Sequence, residues 1–210
     1  MVADGSASGR EPPRRVLVGL GQGLLGSLAF MDGVLKVRAR RLAEVRLASL
    51  ATRLAHVRGV AGAAERLVER IGPLESESVV AAAWLHDVGY SPSVRSTGCH
   101  AIDGAMFVRA EGFPALVVSL VAYHTGAVFE ARERGLSAEL ADFAVPPEFL
   151  LDVLTCADMT TGPDGAPVAA DDRLGEILSR YGEDDPVHRA ITLSGPLLLA
   201  AVARVDALTG

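Results

Sequence analysis

Two apolar segments of this chain end in ionisable side chains, and this combination restricts the folds open to it. Residues 79–85 are apolar on every side and lead directly into His86 and Asp87, and residues 114–123 lead in the same way into His124. A segment without a polar face belongs in the interior of a helical bundle. Burying an ionisable group there is costly unless a partner binds it. We therefore expect a cation to gather these side chains.

The spacing of apolar residues favours helices throughout. Between Leu47 and Ile71 they recur at alternating steps of three and four, which predicts one long helix that carries His56. Aromatic residues make up only 5% of the chain, so small aliphatic side chains must form the core, as they do between closely packed helices. We predict an all-α fold, a bundle of about seven helices.

One domain is expected, because 210 residues are enough for one sizeable core but not for two large ones. The first fifteen residues are rich in Gly, Ser, Pro and Arg, and we interpret residues 1–30 as a flexible or partly ordered N-terminal leader. Residues 31–210 then form the helical domain. Within it, the charged residues 128–145 are predicted to be a helical insert or a mobile cover beside the site.

Charge and cysteine content exclude several classes of partner. The formal net charge is −6, which argues against a nucleic-acid-binding surface. The apolar stretch at residues 16–30 contains four glycines and is a poor membrane helix, so no membrane association is expected. Cys99 and Cys156 show no disulfide spacing, which fits a cytoplasmic protein. The sequence leaves assembly into a homo-oligomer open.

The histidines and aspartates at the inner ends of the predicted helices are candidate metal ligands. They are His56, His86, Asp87, His100, His124 and Asp158. Imidazole nitrogen and carboxylate oxygen together suit a divalent transition metal, Fe, Mn, Co, Ni or Zn, better than Mg. We expect one or two such ions.

The order of these residues resembles the H…HD…D pattern that gives the HD superfamily its name. Four strings carry the resemblance: AAWLHDVGY at residues 82–90, HAIDGA at 100–105, YHTG at 123–126 and ADMTT at 157–161. The last two are similar to segments of the bacterial HD proteins that hydrolyse diadenosine tetraphosphate. The resemblance covers roughly residues 45–165, with a short gap of twelve residues between Asp87 and His100.

The resemblance implies an HD-type helical bundle with two metal sites. The first metal would be held by His56, His86, Asp87 and Asp158, and the second by Asp87 as a bridge together with His100 and His124. Two ions ~3.5–4 Å apart stabilise the charge that develops on a phosphoryl group under attack, so the implied activity is that of a metal-dependent phosphohydrolase. Asp87 would be catalytic because it fixes both ions.

Asp103 lies one helical turn after His100 and allows two interpretations. It orients the imidazole or assists proton transfer to the leaving group. Alternatively, it is an acidic residue in the first turn of a helix, where it needs no catalytic function.

Binding a substrate phosphate also requires positively charged or hydrogen-bonding side chains that are not metal ligands. Arg95 lies between the two metal-binding segments and is predicted to hold the substrate phosphate in catalysis, with Arg58 beside His56 and the hydroxyl of Thr125 as further candidates. The alternatives are that the arginines are solvated and that the threonine bonds the backbone.

The function that follows is hydrolysis of a phosphate ester or anhydride in a small phosphorylated substrate, and a nucleotide is favoured. Two alternatives remain open. One is a di-iron oxygenase on the same HD scaffold, since some HD proteins activate oxygen with the same six ligands. The other is a non-catalytic nucleotide-binding regulatory module.

Overall fold

The all-α prediction is confirmed by a computed structural model of the chain, which describes Met1, residues 21–72 and residues 75–209, with side chains from Gly33 onward. Of the described residues, 72% are helical, and no strand occurs among them. Most of the predicted leader, residues 2–20, lies outside the described residues, and residues 21–30 belong to the first helix, so the leader stays a prediction.

Ten α-helices occupy the described ranges. They are α1 (Gly21–Arg46), α2 (Ala51–Ile71), α3 (Ser76–Leu85), α4 (His100–Ala110), α5 (Ala115–Tyr123), α6 (Ala127–Glu133), α7 (Ser137–Ala141), α8 (Glu148–Met159), α9 (Ala170–Arg180) and α10 (Pro186–Thr209). A single 3₁₀ turn (Val88–Tyr90) follows α3.

Three helix boundaries differ from the sequence prediction. The long helix does not begin at Leu47, because α1 ends at Arg46 and Leu47 is fully buried in the turn before α2. The segment 128–145 contains α6 and α7, which raises the number of helices above seven. Helix α10 continues through Pro196, although a proline inside a helix usually breaks or kinks it.

Helix α3 is the centre of the bundle. It packs against α1, α2, α5 and α8, and every residue from Ser78 to Leu85 is buried. Three consecutive alanines, 81–83, let the neighbouring helices approach closely, while Leu85 adds about 1.5–3 kcal/mol by its burial. The end of α3 therefore delivers His86 and Asp87 into the interior, as the sequence predicted.

A contact between two glycines fixes the loop after α8 against α2. A Cβ atom at Gly59 would lie 2.4 Å from the carbonyl oxygen of Gly165, so neither position has room for a side chain. Gly165 also has a φ of +83°, which favours glycine. The contact brings the carbonyl of Gly162 next to α2, where it meets His56.

The two C-terminal helices close one side of the bundle. Helix α10 packs on α6, α8 and α9. Among the described helices it alone is long and apolar enough to cross a membrane, a test that core helices of globular proteins also pass. Helix α9 turns Arg173 and Ile177 toward the interior.

Candidate metal centre

The structure brings all six predicted ligands together. His56 lies in the middle of α2, His86 and Asp87 at the end of α3, His100 at the start of α4, His124 after α5 and Asp158 near the end of α8. They form two adjacent groups, in each of which the candidate donor atoms lie within 4.8 Å of one another. One group is His56, His86 and Asp158, and the other is Asp87, His100 and His124. Either group is suited to hold a metal ion.

Three of the four histidines of the cluster are anchored by a hydrogen bond from Nδ1 to a backbone carbonyl. The Nδ1 atoms of His56, His86 and His124 lie 3.0, 2.7 and 2.7 Å from the carbonyl oxygens of Gly162, Ala83 and Val121. A carbonyl only accepts, so each Nδ1 carries the hydrogen. The Nδ1 of His100 faces Glu130 Oε2 at 3.5 Å. In a neutral ring this arrangement leaves the Nε2 lone pair free for a metal.

The Nε2 atoms of the clustered histidines point toward one another, and not toward hydrogen-bond donors. Those of His100 and His124 are 3.1 Å apart. Burial lowers the pKa of His100 to about 3 and also lowers the pKa of His124, so both rings are neutral and two lone pairs face each other. The Nε2 of His86 is buried and makes no hydrogen bond, although Asp87 Oδ2 lies 3.4 Å away. Burial acts to lower the pKa of His86, but the charge of Asp87 raises it to about 9, so a metal ion bound at this nitrogen would replace a proton. These atoms fit a cation.

Asp158 completes the first group. His56 Nε2 lies 3.0 Å from Asp158 Oδ1, a contact that requires a proton or a cation between the two atoms. The hydroxyl of Thr125 donates to the other carboxylate oxygen at 2.5 Å. Burial acts to raise the pKa of Asp158, but the hydrogen bond with His56 and the charge of His86 hold it well below its ordinary value. The carboxylate is therefore ionised.

Arg53 holds Asp87 in place. Its Nη1 donates to Asp87 Oδ2 at 2.7 Å, and its guanidinium lies 4.1 Å from the ring centre of Tyr90. Burial acts to raise the pKa of Asp87, while the charges of Arg53 and His86 lower it well below the usual value. Asp87 therefore stays a carboxylate at neutral pH.

Asp103 does not serve His100, contrary to one of the two interpretations. Its carboxylate accepts hydrogen bonds from the backbone amides of Ser96, Thr97 and Gly98, at 2.8 to 3.2 Å. It is also bound by the Thr97 hydroxyl, so both oxygens are occupied by the loop before α4. Asp103 therefore fixes that loop, and the carboxylate facing the Nδ1 atom of His100 is that of Glu130.

Three cavities meet at the cluster. The central cavity, about 60 Å³, is lined by five of the six side chains, all except His86, and by residues of α9 and α10. On one side it borders the arginine cavity, about 350 Å³, which shares Arg53, His56, Tyr90, Arg173 and Arg180 with it. On the other side lies the acidic cavity, about 280 Å³, which shares Tyr90, His100, Glu130, Tyr181 and Val187.

The predicted phosphate-binding residues fall in different places. Thr125 lines the central cavity, but its hydroxyl is bonded to Asp158. Arg95 is exposed and lines the acidic cavity instead of the central one. Arg58 is exposed, bonds Glu44 at 3.2 Å and lines none of the three cavities, because it projects from the outer face of α2.

Several side chains around the centre were not predicted from the sequence. They are Tyr90, Glu130, Arg173, Arg180 and Tyr181. The spacing of Arg173 and Ile177 on an amphipathic helix marks the inward face of α9, but no motif links that helix to the histidines. Glu130 lies in the charged segment that was predicted to be a helical insert or a mobile cover beside the site, and its side chain is buried.

The family model described as HD domain matches residues 53–145. The matched range contains five of the six clustered side chains and ends before Asp158. Searches of curated proteins and of solved structures found no match to this chain.

Proposed function

Since residues 53–145 form an HD domain, a family of mostly metal-dependent hydrolases, we propose that this protein is a metal-dependent phosphohydrolase. Its substrate is a phosphate ester or anhydride of a small molecule, with a nucleotide favoured. The observation that carries the proposal is that three imidazoles are hydrogen-bonded through Nδ1 and the fourth turns its Nδ1 toward Glu130, so that the Nε2 atoms face two ionised carboxylates. That arrangement suits divalent transition metals.

The six side chains would share two ions. His56, His86 and Asp158 would hold one, His100 and His124 the other, and Asp87 would reach both, because its Oδ1 lies 3.6 Å from His100 Nε2 and its Oδ2 lies 3.4 Å from His86 Nε2. Ions bound there supply positive charge that activates water and stabilises charge on a phosphoryl group.

The protein's own groups position this chemistry and limit access of water. Arg53 keeps the Asp87 carboxylate oriented, and the Thr125 hydroxyl does the same for Asp158. The central cavity of about 60 Å³ has room for about two waters of about 30 Å³ each, so the bulk of a substrate must lie in a neighbouring cavity. Glu130, which faces His100 Nδ1, orients that ring.

Removing metal is expected to abolish hydrolysis and to lower thermal stability. His56 and Asp158 are 102 positions apart, so an ion that binds both adds its binding energy to the folded state only. Protein purified without chelator is assayed for metal content, for phosphate release from nucleoside mono-, di- and triphosphates, and for its melting temperature before and after chelation. We expect manganese or iron to restore both properties.

Other outcomes of that screen would contradict the proposal. Iron-dependent oxygen consumption without phosphate release would identify the di-iron oxygenase. Recovery of unaltered nucleotide after long incubation with the metal-loaded protein would identify a regulatory binding module. Full activity of metal-free protein would exclude the metal mechanism altogether.

Replacing His124 by alanine is expected to halve the metal content while the first ion remains. The donor atom of His124 belongs to the second group, and its removal leaves the donor atoms of His56, His86 and Asp158 in place. Elemental analysis after gel filtration measures the ratio of metal to protein. His188→Ala is the matched control, because His188 bonds the carbonyl of Tyr181 and lies outside both groups. Unchanged metal content in His124→Ala would refute the two-ion assignment.

A further inference from the structure

Arg173 on α9 is a buried cation with unused hydrogen-bonding capacity beside the metal centre. Its side chain is 4% exposed and lines both the central cavity and the arginine cavity. Among the described residues its Nε atom has no hydrogen-bond partner. A buried guanidinium hydrogen left unpaired is costly, so the position calls for an acceptor that enters from the cavity.

A single carboxylate, that of Glu176, binds both Arg173 and Arg180 on the side of the cavity formed by α9. Glu176 accepts from Arg173 Nη1 at 2.5 Å and from Arg180 Nε at 2.8 Å. Two positive charges share a single negative one, which leaves a net charge of +1 on the group. Because Glu176 lies one helical turn from each arginine, the helix itself fixes their spacing. The pair is thus positioned before any ligand arrives.

Charge distinguishes the two cavities that flank the centre. Three arginines and no acidic residue line the arginine cavity. The acidic cavity is lined by Asp103, Glu130 and Asp185 against Arg95 and Arg134, a surplus of one negative charge. A polyphosphate is therefore attracted toward α9 and repelled from the side of Arg95.

We propose that Arg173 and Arg180 form a subsite for a second phosphoryl group of the substrate, adjacent to the one that reacts at the metals. The substrate is then a compound with at least two linked phosphates, a phosphoanhydride, whose remaining part occupies the arginine cavity. This inference rests on the proposed phosphohydrolase function and deepens it. The guanidinium groups bind oxygens of the unreacted phosphate, and Arg173 Nε donates the hydrogen bond that it now lacks.

The test compares a one-phosphate probe with a two-phosphate probe. Binding of inorganic phosphate and of imidodiphosphate to the manganese-loaded full chain is measured by calorimetry. We expect imidodiphosphate to bind more tightly to the wild-type protein. Arg173→Gln and Arg180→Gln should each weaken that binding by about 10- to 100-fold, the effect of one charge-assisted bond, and leave phosphate binding unchanged.

Binding separates the failure of this inference from the failure of the proposed function, since it does not require turnover. A protein that hydrolyses nothing but shows the expected loss in both variants would keep the subsite and refute the activity. Where hydrolysis occurs, the KM for a nucleoside triphosphate should rise in both variants, while that for p-nitrophenyl phosphate stays the same.

Three controls make the result decisive. Arg180 is partly exposed, so its variant keeps the test valid if Arg173→Gln does not fold. Arg204→Gln removes an arginine that pairs with Asp152 away from the three cavities, and it should bind both probes as the wild type does. Equal losses for the two probes, no loss in either variant, or a loss in Arg95→Gln instead would each overturn the proposal.

Discussion

Asp87→Asn is expected to lower turnover by about 1000-fold and to remove at least one ion. Asp87 places its two oxygens 3.4 to 3.9 Å from the Nε2 atoms of His56, His86 and His100, which belong to both groups. The amide keeps the shape but loses the charge, and it leaves Arg53 without its ionic partner. Elemental analysis and phosphate release under saturating manganese measure both effects.

A matched control separates charge loss at the centre from charge loss in general. Asp152 on α8 is also buried and is paired with Arg204 through two bonds of 2.7 and 2.8 Å, but it lies away from the cavities. Asp152→Asn should retain metal and turnover. His86→Ala supplies a second test, because its Nε2 makes no hydrogen bond in the described structure. Full turnover in a variant that holds no metal would refute the assignment.

Gly89→Ala is expected to lower the free energy of unfolding by about 3 kcal/mol and to weaken the second metal site. A Cβ atom at Gly89 would lie 1.9 Å from the carbonyl oxygen of His100 and 2.8 Å from the amide nitrogen of Gly104. Both atoms belong to the backbone of α4, so the helix must move, and His100 moves with it. Urea denaturation and metal analysis report the two consequences separately.

The matching substitution is Gly175→Ala on α9. No atom lies within 4 Å of the Cβ position there, and the residue is exposed in a helix. Alanine should therefore stabilise the protein by about 0.5–1 kcal/mol through helix propensity. If Gly89→Ala were as stable as Gly175→Ala, the close packing of the 3₁₀ turn on α4 would be wrong.

The all-α fold and the grouping of the six ligands were accessible from sequence for a physical reason. Ionisable side chains at the ends of apolar segments are tolerated only where they meet, so their convergence follows from composition and order. The assignment of His56 and Asp158, 102 positions apart, to one metal site came from the resemblance to the HD pattern. It required no knowledge of how the helices cross.

The surrounding residues could not be predicted in this way. Asp103 has the same local sequence context whether it faces His100 or the preceding loop, and only the path of residues 96–98 decides between the two. Arg95 is near the ligands in sequence but opens onto the acidic cavity, while Arg173 is remote in sequence and lies at the centre. The direction in which each side chain points separates these cases. The spacing of residues in the sequence does not give that direction.

Helix ends were missed where apolar spacing continues through a turn. Leu47 and Leu50 keep the helical register on either side of the break between α1 and α2, since both still pack on the core. Conversely, Pro196 lies inside α10, a helix that packs along α6, α8 and α9. Tertiary packing overrode the local signals in both places.

The position of α8, α9 and α10 beyond residue 145 has a consequence for how this protein can be dissected. A fragment limited to the range that matches the HD domain would carry five ligands but lack Asp158, and it would expose the interior face that α10 covers. It would also lack Arg173 and Arg180, the two residues of α9 that line the arginine cavity. The smallest fragment expected to keep an intact metal centre therefore extends through the C-terminal helix. A fragment designed for expression or fusion should include all residues up to Thr209.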